Sequence, residues 1–368
     1  MNGFSCMKYV LYSSDYVTKI LEKKGFNFEY RITVDSNEIN NDVKSVYYLK
    51  NNYNGEKIII PSFISDDINS DDIYNYMISI GFDRNNVLFI PIEMIYGDEA
   101  IDVDKFYKYD DVTYLDYIEI NINDHCNLNC KGCSHFAPLA PASFKNFDTF
   151  LKDIKRLKQL IPHIFKIRIM GGEPFLNPEL KRYVETLKEV YPYSDLRIVT
   201  NGLLLKNISD EMLKFIKIND IMLDISVYPP LFNVIDDVVQ KLKSRHVKLF
   251  LEHISMFKPI LLDSKEKYPF KTLQNCNCIN LGNGFISSCP LQTTIKYYNE
   301  HFEDRYNYKT NKIDIYDSIT GAEIKKRLKE PFELCDYCAH YRDDLPYFEW
   351  DQSLANINSE DWIYKKGK

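Results

Sequence analysis

Along the first hundred residues, apolar and polar positions alternate in blocks of two kinds. Apolar YVLYS is followed by an amphipathic YVTKILEKKG, then by FEYRITVD, VYYL and KIIIPSF, then by DIYNYMISIGF and VLFIPIEM. Short apolar runs predict buried strands, and apolar residues at helical spacing predict helices that bury one face. Their alternation predicts a small α/β domain over 1–98 with a largely parallel sheet. A polar stretch at 98–114 separates it from a second series: strands at 115–122, 165–170, 196–200, 220–228 and 247–253, and helices at 147–163, 180–191, 209–218 and 232–245. Helices of this length between strands predict βα units round a parallel sheet or partial barrel over 115–255, with an active site at the carboxyl ends of the strands. From about 270 the pattern becomes irregular and cysteine-rich, marking a separate module over 270–345 and a tail over 346–368.

A Rossmann-type phosphate site needs glycines between its first strand and helix, so that backbone can approach the phosphate. Tyr12, Ser13, Ser14 and Asp15 stand there instead. The first domain is therefore expected to be Rossmann-like in fold without the glycine-rich loop, serving to dock or position a substrate.

Hydrophobic residues make up 45% of the 368, enough for more than one core, yet no run could span a bilayer and no basic stretch leads into an apolar signal core. A soluble, cytoplasmic protein is expected. The net charge of −7 comes with no basic arm, which argues against nucleic acid as partner and favours a small-molecule substrate. Nine cysteines in a reducing compartment point to metal ligation before disulfides. Eight of them fall at 126–133 and 276–338; Cys6 stands alone and reads as inert.

Cys126, Cys130 and Cys133 follow the first strand of the second series directly. Three thiolates leave one iron of a [4Fe-4S] cluster open to an outside ligand. Zinc is the alternative, with His125 or His135 as fourth ligand. The CxxxCxxC spacing resembles the signature of the radical S-adenosylmethionine (SAM) superfamily, and Gly171-Gly172-Glu173-Pro174 after the second strand resembles that family's GGEP-like motif. The resemblance covers about 115–255 and implies a partial (βα)6 barrel. It further implies a [4Fe-4S] cluster with an open iron for SAM, contact between the Gly171–Pro174 motif and the SAM amino group, and an electron donor such as a flavodoxin or ferredoxin. Glu173 is expected to pair with that ammonium. Asn201 in Thr200-Asn201-Gly202, and Ser226, stand where the family places polar residues toward the SAM ribose and carboxylate, although Asn-Gly also forms ordinary turns. Many relatives have an aromatic just before the third cysteine, near adenine; here that residue is Gly132, and Phe136 is the expected substitute. Glu252, His253, His135 and Tyr228 are candidate pocket residues.

The later cysteines read Cys276-Asn-Cys278, then a glycine-led Gly284-Phe-Ile-Ser-Ser-Cys289, then Cys335-Asp-Tyr-Cys338. With one of Cys276 and Cys278 they reach the four thiolates of a closed cluster, or equally of a zinc ribbon. The arrangement resembles the twitch module, a shortened SPASM domain carrying an auxiliary [4Fe-4S] cluster. By that resemblance Cys276, Cys289, Cys335 and Cys338 are its ligands, with Cys278 the alternative to Cys276 and the spare thiol a candidate hydrogen-atom donor. The twitch-like module and the Rossmann-like domain imply oxidation, dehydration or epimerisation of a carbohydrate-like or other small metabolite, such as a sugar or nucleotide-sugar. Peptide modification, and a non-catalytic iron-sulfur or zinc redox sensor, are the alternatives.

Overall fold

The computed structural model describes residues 8–61, 70–98, 100–109, 114–263, 276, 278–303, 306–340, 342, 344–353 and 357–364. Cys6 lies outside them. The chain forms two compact units, residues 1–116 with 161–165, and 117–160 with 166–368.

The first unit runs β1 (Tyr9–Tyr12), α1 (Asp15–Lys23), β2 (Tyr30–Thr33), β3 (Val43–Ser45), α2 (Val46–Asn51), β4 (Lys57–Pro61), α3 (Ser70–Ser79), β5 (Val87–Ile90) and α4 (Ile92–Tyr96). Its five strands are parallel in the order β3-β2-β1-β4-β5. Alternation along each strand feeds two cores. Val10, Tyr12, Ile58 and Ile60 enter one cluster, and Leu11 and Ile59 the other. Ser14 caps α1, its Oγ accepting from the Val17 amide at 3.4 Å, so a side chain meets an orphan helix N–H where a phosphate-binding unit would present glycine. The apolar VYYL lies in α2, begun by the Ser45 cap that accepts from Tyr48 N–H at 3.0 Å.

The second series contributes β6 (Tyr114–Asn121), α5 (Phe147–Leu160), β7 (His163–Met170), α6 (Leu180–Val190), β8 (Asp195–Thr200), α7 (Asp210–Ile218), β9 (Met222–Val227), α8 (Ile235–Ser244) and β10 (Lys248–His253). Each helix buries one stripe; in α5 it is Phe147, Phe150, Ile154 and Leu157. Beyond β10 come β11 (Met256–Phe257), β12 (Leu261–Leu262), β13 (Asn280–Gly282), β14 (Phe285–Ser287), α9 (Leu291–Phe302), β15 (Ile313–Asp314), α10 (Gly321–Arg327), β16 (Phe348–Glu349) and β17 (Ile363–Tyr364). The sheet order is β10-β9-β8-β7-β6-β13-β14-β15. The strand beyond β6 is thus β13, parallel to it and drawn from the cysteine-rich region.

The segment expected as a tail is built into this unit. β16 pairs antiparallel with β11, and β17 pairs parallel with β12. Trp362 is fully buried beside Phe136, Tyr298 and Phe302, so apolar burial holds the segment down. Among the described residues no helix is long and apolar enough to cross a membrane.

Candidate functional site

The loops that leave β6 and β7 are joined backbone to backbone. Gly172 N–H donates to the Asn123 carbonyl at 3.0 Å and Glu173 N–H to the His125 carbonyl at 3.1 Å. The buried Asn123 amide adds bonds to the carbonyls of His125 (2.9 Å) and Glu173 (3.0 Å). A Cβ on Gly171 would lie 2.1 Å from the Asn123 carbonyl oxygen, and one on Gly172 would lie 2.0 Å from that of His125. Only glycine fits so close an approach. Asp124 anchors the loop from below through Lys145 Nζ at 2.6 Å and the Tyr297 hydroxyl. Burial pushes its carboxyl up, but the Lys145 charge and the hydrogen bonds from Lys145 and Tyr297 together outweigh this and hold it below the usual carboxylate range.

This scaffold holds Cys126, Cys130 and Cys133 round a cavity of about 260 Å³, whose wall also includes Gly171, Gly172, Asn201, Ser226, Tyr228, Glu252 and His135. N–H groups point at the sulfurs: Leu128 N–H lies 3.4 Å and Asn201 Nδ2 3.5 Å from Cys126 Sγ, and Trp350 Nε1 lies 3.1 Å from Cys130 Sγ. Burial pushes the Cys126 and Cys130 thiols up to about 12. Burial pushes the Cys133 thiol up as well, yet the His135 hydrogen bond and charge bring it below its ordinary value. Among the described residues, no three His, Cys, Asp or Glu side chains meet at the spacing of a single ion. The thiols surround a volume instead, which suits a group with its own bulk.

Some expected residues lie elsewhere. Glu173 is fully buried outside the cavity wall, and its carboxylate accepts from Thr200 Oγ1 (2.8 Å), Asn201 N–H (2.9 Å) and Phe175 N–H (3.1 Å). It ties the β7 loop to the β8 loop, whereas Gly171 and Gly172 line the cavity. Burial raises its pKa to about 7 against those hydrogen bonds. Pro174 is buried in the turn that follows. Phe136 is fully buried among Tyr298 and Trp362, outside the wall of this cavity, because its backbone there is left-handed (φ 50°) and it packs into the cysteine-rich module. The space beside Gly132 is filled by other aromatics, a Cβ there lying 2.9 Å from Phe348 and 3.5 Å from Phe257. The His125 ring turns to Phe144 and the Ser143 carbonyl, and His253 is exposed against Phe232.

Sequence reasoning missed Arg168, Phe257 and Trp350. Arg168 lines the cavity from β7, its guanidinium 3.1 Å from Asp224 and 3.2 Å from the Tyr117 hydroxyl, which in turn donates to Glu119. Alternation along β7, with buried Ile167 and Ile169 on either side of Arg168, was the available signal.

A second cavity of about 190 Å³ is lined by all five later cysteines. The β13–β14 hairpin turns at Asn283 and Gly284, both at positive φ (51° and 79°), and leads to Cys289. Asp153 holds the hairpin tip, accepting from Gly284 N–H and the Tyr316 hydroxyl, each at 2.8 Å. A 3-10 turn at Glu333–Tyr337 carries Cys335 and is capped by Cys338, whose N–H donates to the Cys335 carbonyl at 3.1 Å, and both cysteines line the cavity. Cys276 is half-buried and Cys278 exposed, and both face the cavity. Ser134 lines both cavities.

The chain is 32% identical over 99 residues to a GTP 3',8-cyclase of Sulfurimonas denitrificans, covering 27% of this chain and 31% of that protein. It is 38% identical over 93 residues to one of Limosilactobacillus fermentum, covering 24% and 27%. The chain thus spans under a third of the length of these curated relatives. Among solved structures it is similar to BtrN in complex with AdoMet and 2-DOIA, at 15% identity and TM-score 0.38, covering 62% of this chain and 95% of that one. It is also similar to Streptococcus suis SuiB, at 14% identity and TM-score 0.31, covering 39% and 34%. Residues 120–255, the segment that carries the cysteine triplet and the glycine pair, match the family model of the radical SAM superfamily, and the chain therefore contains a radical SAM superfamily domain.

Proposed function

We propose that the chain is a radical SAM enzyme acting on a small polar metabolite. The observation that carries this is one cavity walled by three thiols and by the Gly171–Gly172 backbone, Asn201 and Ser226. In this reading Cys126, Cys130 and Cys133 hold a [4Fe-4S] cluster, and the glycine backbone, Asn201 and Ser226 hold SAM. When both are bound, one-electron reduction splits SAM to methionine and a 5'-deoxyadenosyl radical that takes a hydrogen atom from the substrate. Arg168, kept in place by Asp224 and Tyr117, offers a cation to a hydroxyl- or phosphate-bearing substrate, and Tyr228 and Glu252 offer further polar contacts. Cys289, Cys335, Cys338 and Cys276 hold an auxiliary [4Fe-4S] cluster, with Cys278 the spare thiol. The α/β domain over 1–98 docks or positions the substrate.

The test is anaerobic iron and sulfide counting, followed by dithionite reduction with SAM. About eight irons per chain and release of 5'-deoxyadenosine are expected. Zinc without sulfide overturns both cluster assignments, and iron without SAM cleavage leaves a redox sensor. Sugars, nucleotide-sugars, GTP (taken from the relatives' name) and peptides then form the substrate panel. Turnover of peptides alone overturns the small-metabolite reading.

A further inference from the structure

The chain has two tryptophans, both within its last nineteen residues, and both donate their indole N–H to the first cysteine loop. Trp350 Nε1 lies 3.1 Å from Cys130 Sγ, and Trp362 Nε1 lies 3.0 Å from the Cys133 carbonyl. The backbone between them reinforces the contact. Lys131 N–H donates to the Asp351 carbonyl at 3.0 Å, Ser353 N–H donates to the Asn129 carbonyl at 2.6 Å, and Lys131 pairs with Asp351 at 2.7 Å. Trp350 is fixed in turn, its backbone N–H donating to the Ser255 carbonyl at 2.7 Å and its ring stacked on Tyr228, which lines the cavity. A loop that has to hold an iron-sulfur group is thereby clasped by a segment some 220 residues further along the chain.

We infer that this carboxyl-terminal segment belongs to the first cysteine site, with Trp350 as the positioning residue that orients Cys130 and raises the reduction potential of the cluster the loop holds. A hydrogen bond to a ligating sulfur withdraws electron density from it, which stabilises the reduced, more negative cluster. Trp362 bonds to a carbonyl oxygen and leaves the potential alone. The inference rests on the proposed cluster at Cys126, Cys130 and Cys133.

The test uses the full chain, reconstituted anaerobically, and an EPR-monitored redox titration of the signal that changes when SAM is added. Trp350→Phe is expected to keep its iron and sulfide while its midpoint moves to lower potential, and Trp362→Phe to leave the midpoint where it is. An unchanged midpoint in iron-loaded W350F overturns the inference alone, whereas wild-type chain without iron and sulfide overturns the proposed function beneath it. If W350F fails to retain iron, the metal-free chain decides. In a Trp362→Phe background, excited at the long-wavelength edge where the 28 tyrosines do not absorb, only Trp350 emits, and the adjoining thiol quenches it, so Cys130→Ala raises the emission while Cys335→Ala does not. Equal emission in all three chains overturns the contact.

Discussion

The two cysteine-lined cavities differ in what surrounds the sulfurs. Round Cys126, Cys130 and Cys133 the wall is backbone and polar: two glycines pressed against carbonyls, Asn201, Ser226 and Arg168, with N–H donors on the sulfurs. Round the later cysteines it is largely apolar, with Ile260, Leu291, Phe332 and Leu334. Polar groups near an iron-sulfur group meet a charged ligand, whereas apolar walls shield the cluster from water and tune its potential. On the proposed function, the first site admits a zwitterion and the second encloses the cluster it holds.

The sharpest way to break this comparison is to remove one sulfur from each site. Cys126→Ala is expected to halve the iron content and abolish 5'-deoxyadenosine release. Cys335→Ala should also halve the iron yet leave substrate-free SAM cleavage measurable, both read by iron assay and chromatography. Equal loss of SAM cleavage would remove the distinction.

Glycine substitutions sharpen it next. Gly172→Ala drives a methyl into the His125 carbonyl and is expected to cost about 1–3 kcal/mol in denaturant unfolding. Gly282→Ala, with open space at its Cβ, should stay within about 0.5 kcal/mol.

A smaller effect is pH-dependent. Because Glu173 titrates at about 7 in the fold against an ordinary 4.5, the folded state holds its proton more tightly than the unfolded state. Its contribution to stability is full below about 4.5 and is lost as pH rises to about 7. Glu173→Gln should flatten that part of the stability profile, followed by the denaturation midpoint across this range. A local effect is expected from Arg168→Gln, which leaves Asp224 paired with Arg197 at 3.4 Å. It should raise substrate KM about tenfold and leave substrate-free SAM cleavage unchanged.

Much of the barrel was legible in advance, because strand and helix periods are local. The helix read at 180–191 spans Leu180–Val190, and the strand at 196–200 spans Asp195–Thr200. VYYL was less legible, since its apolar run does not separate helix from strand and a serine cap settled the matter. At the site, cysteine and glycine spacing marked the loops but not the direction in which side chains leave them. Glu173 belongs to the expected motif, yet its carboxylate goes into the protein because Thr200 and two backbone amides lie there to receive it. Phe136 likewise goes to the core, and Phe257 lines the cavity in its stead.

By itself the sequence determined the α/β periodicity, the two cysteine groups and the absence of phosphate-binding glycines after β1, since each is a matter of near neighbours along one chain. Only the tertiary structure decided that Glu173 supports the site without facing it, that Arg168 faces the cavity, and that the last residues clasp the first cysteine loop. Those depend on groups brought together across as many as 220 residues, and spacing along the chain carries no record of which of them meet.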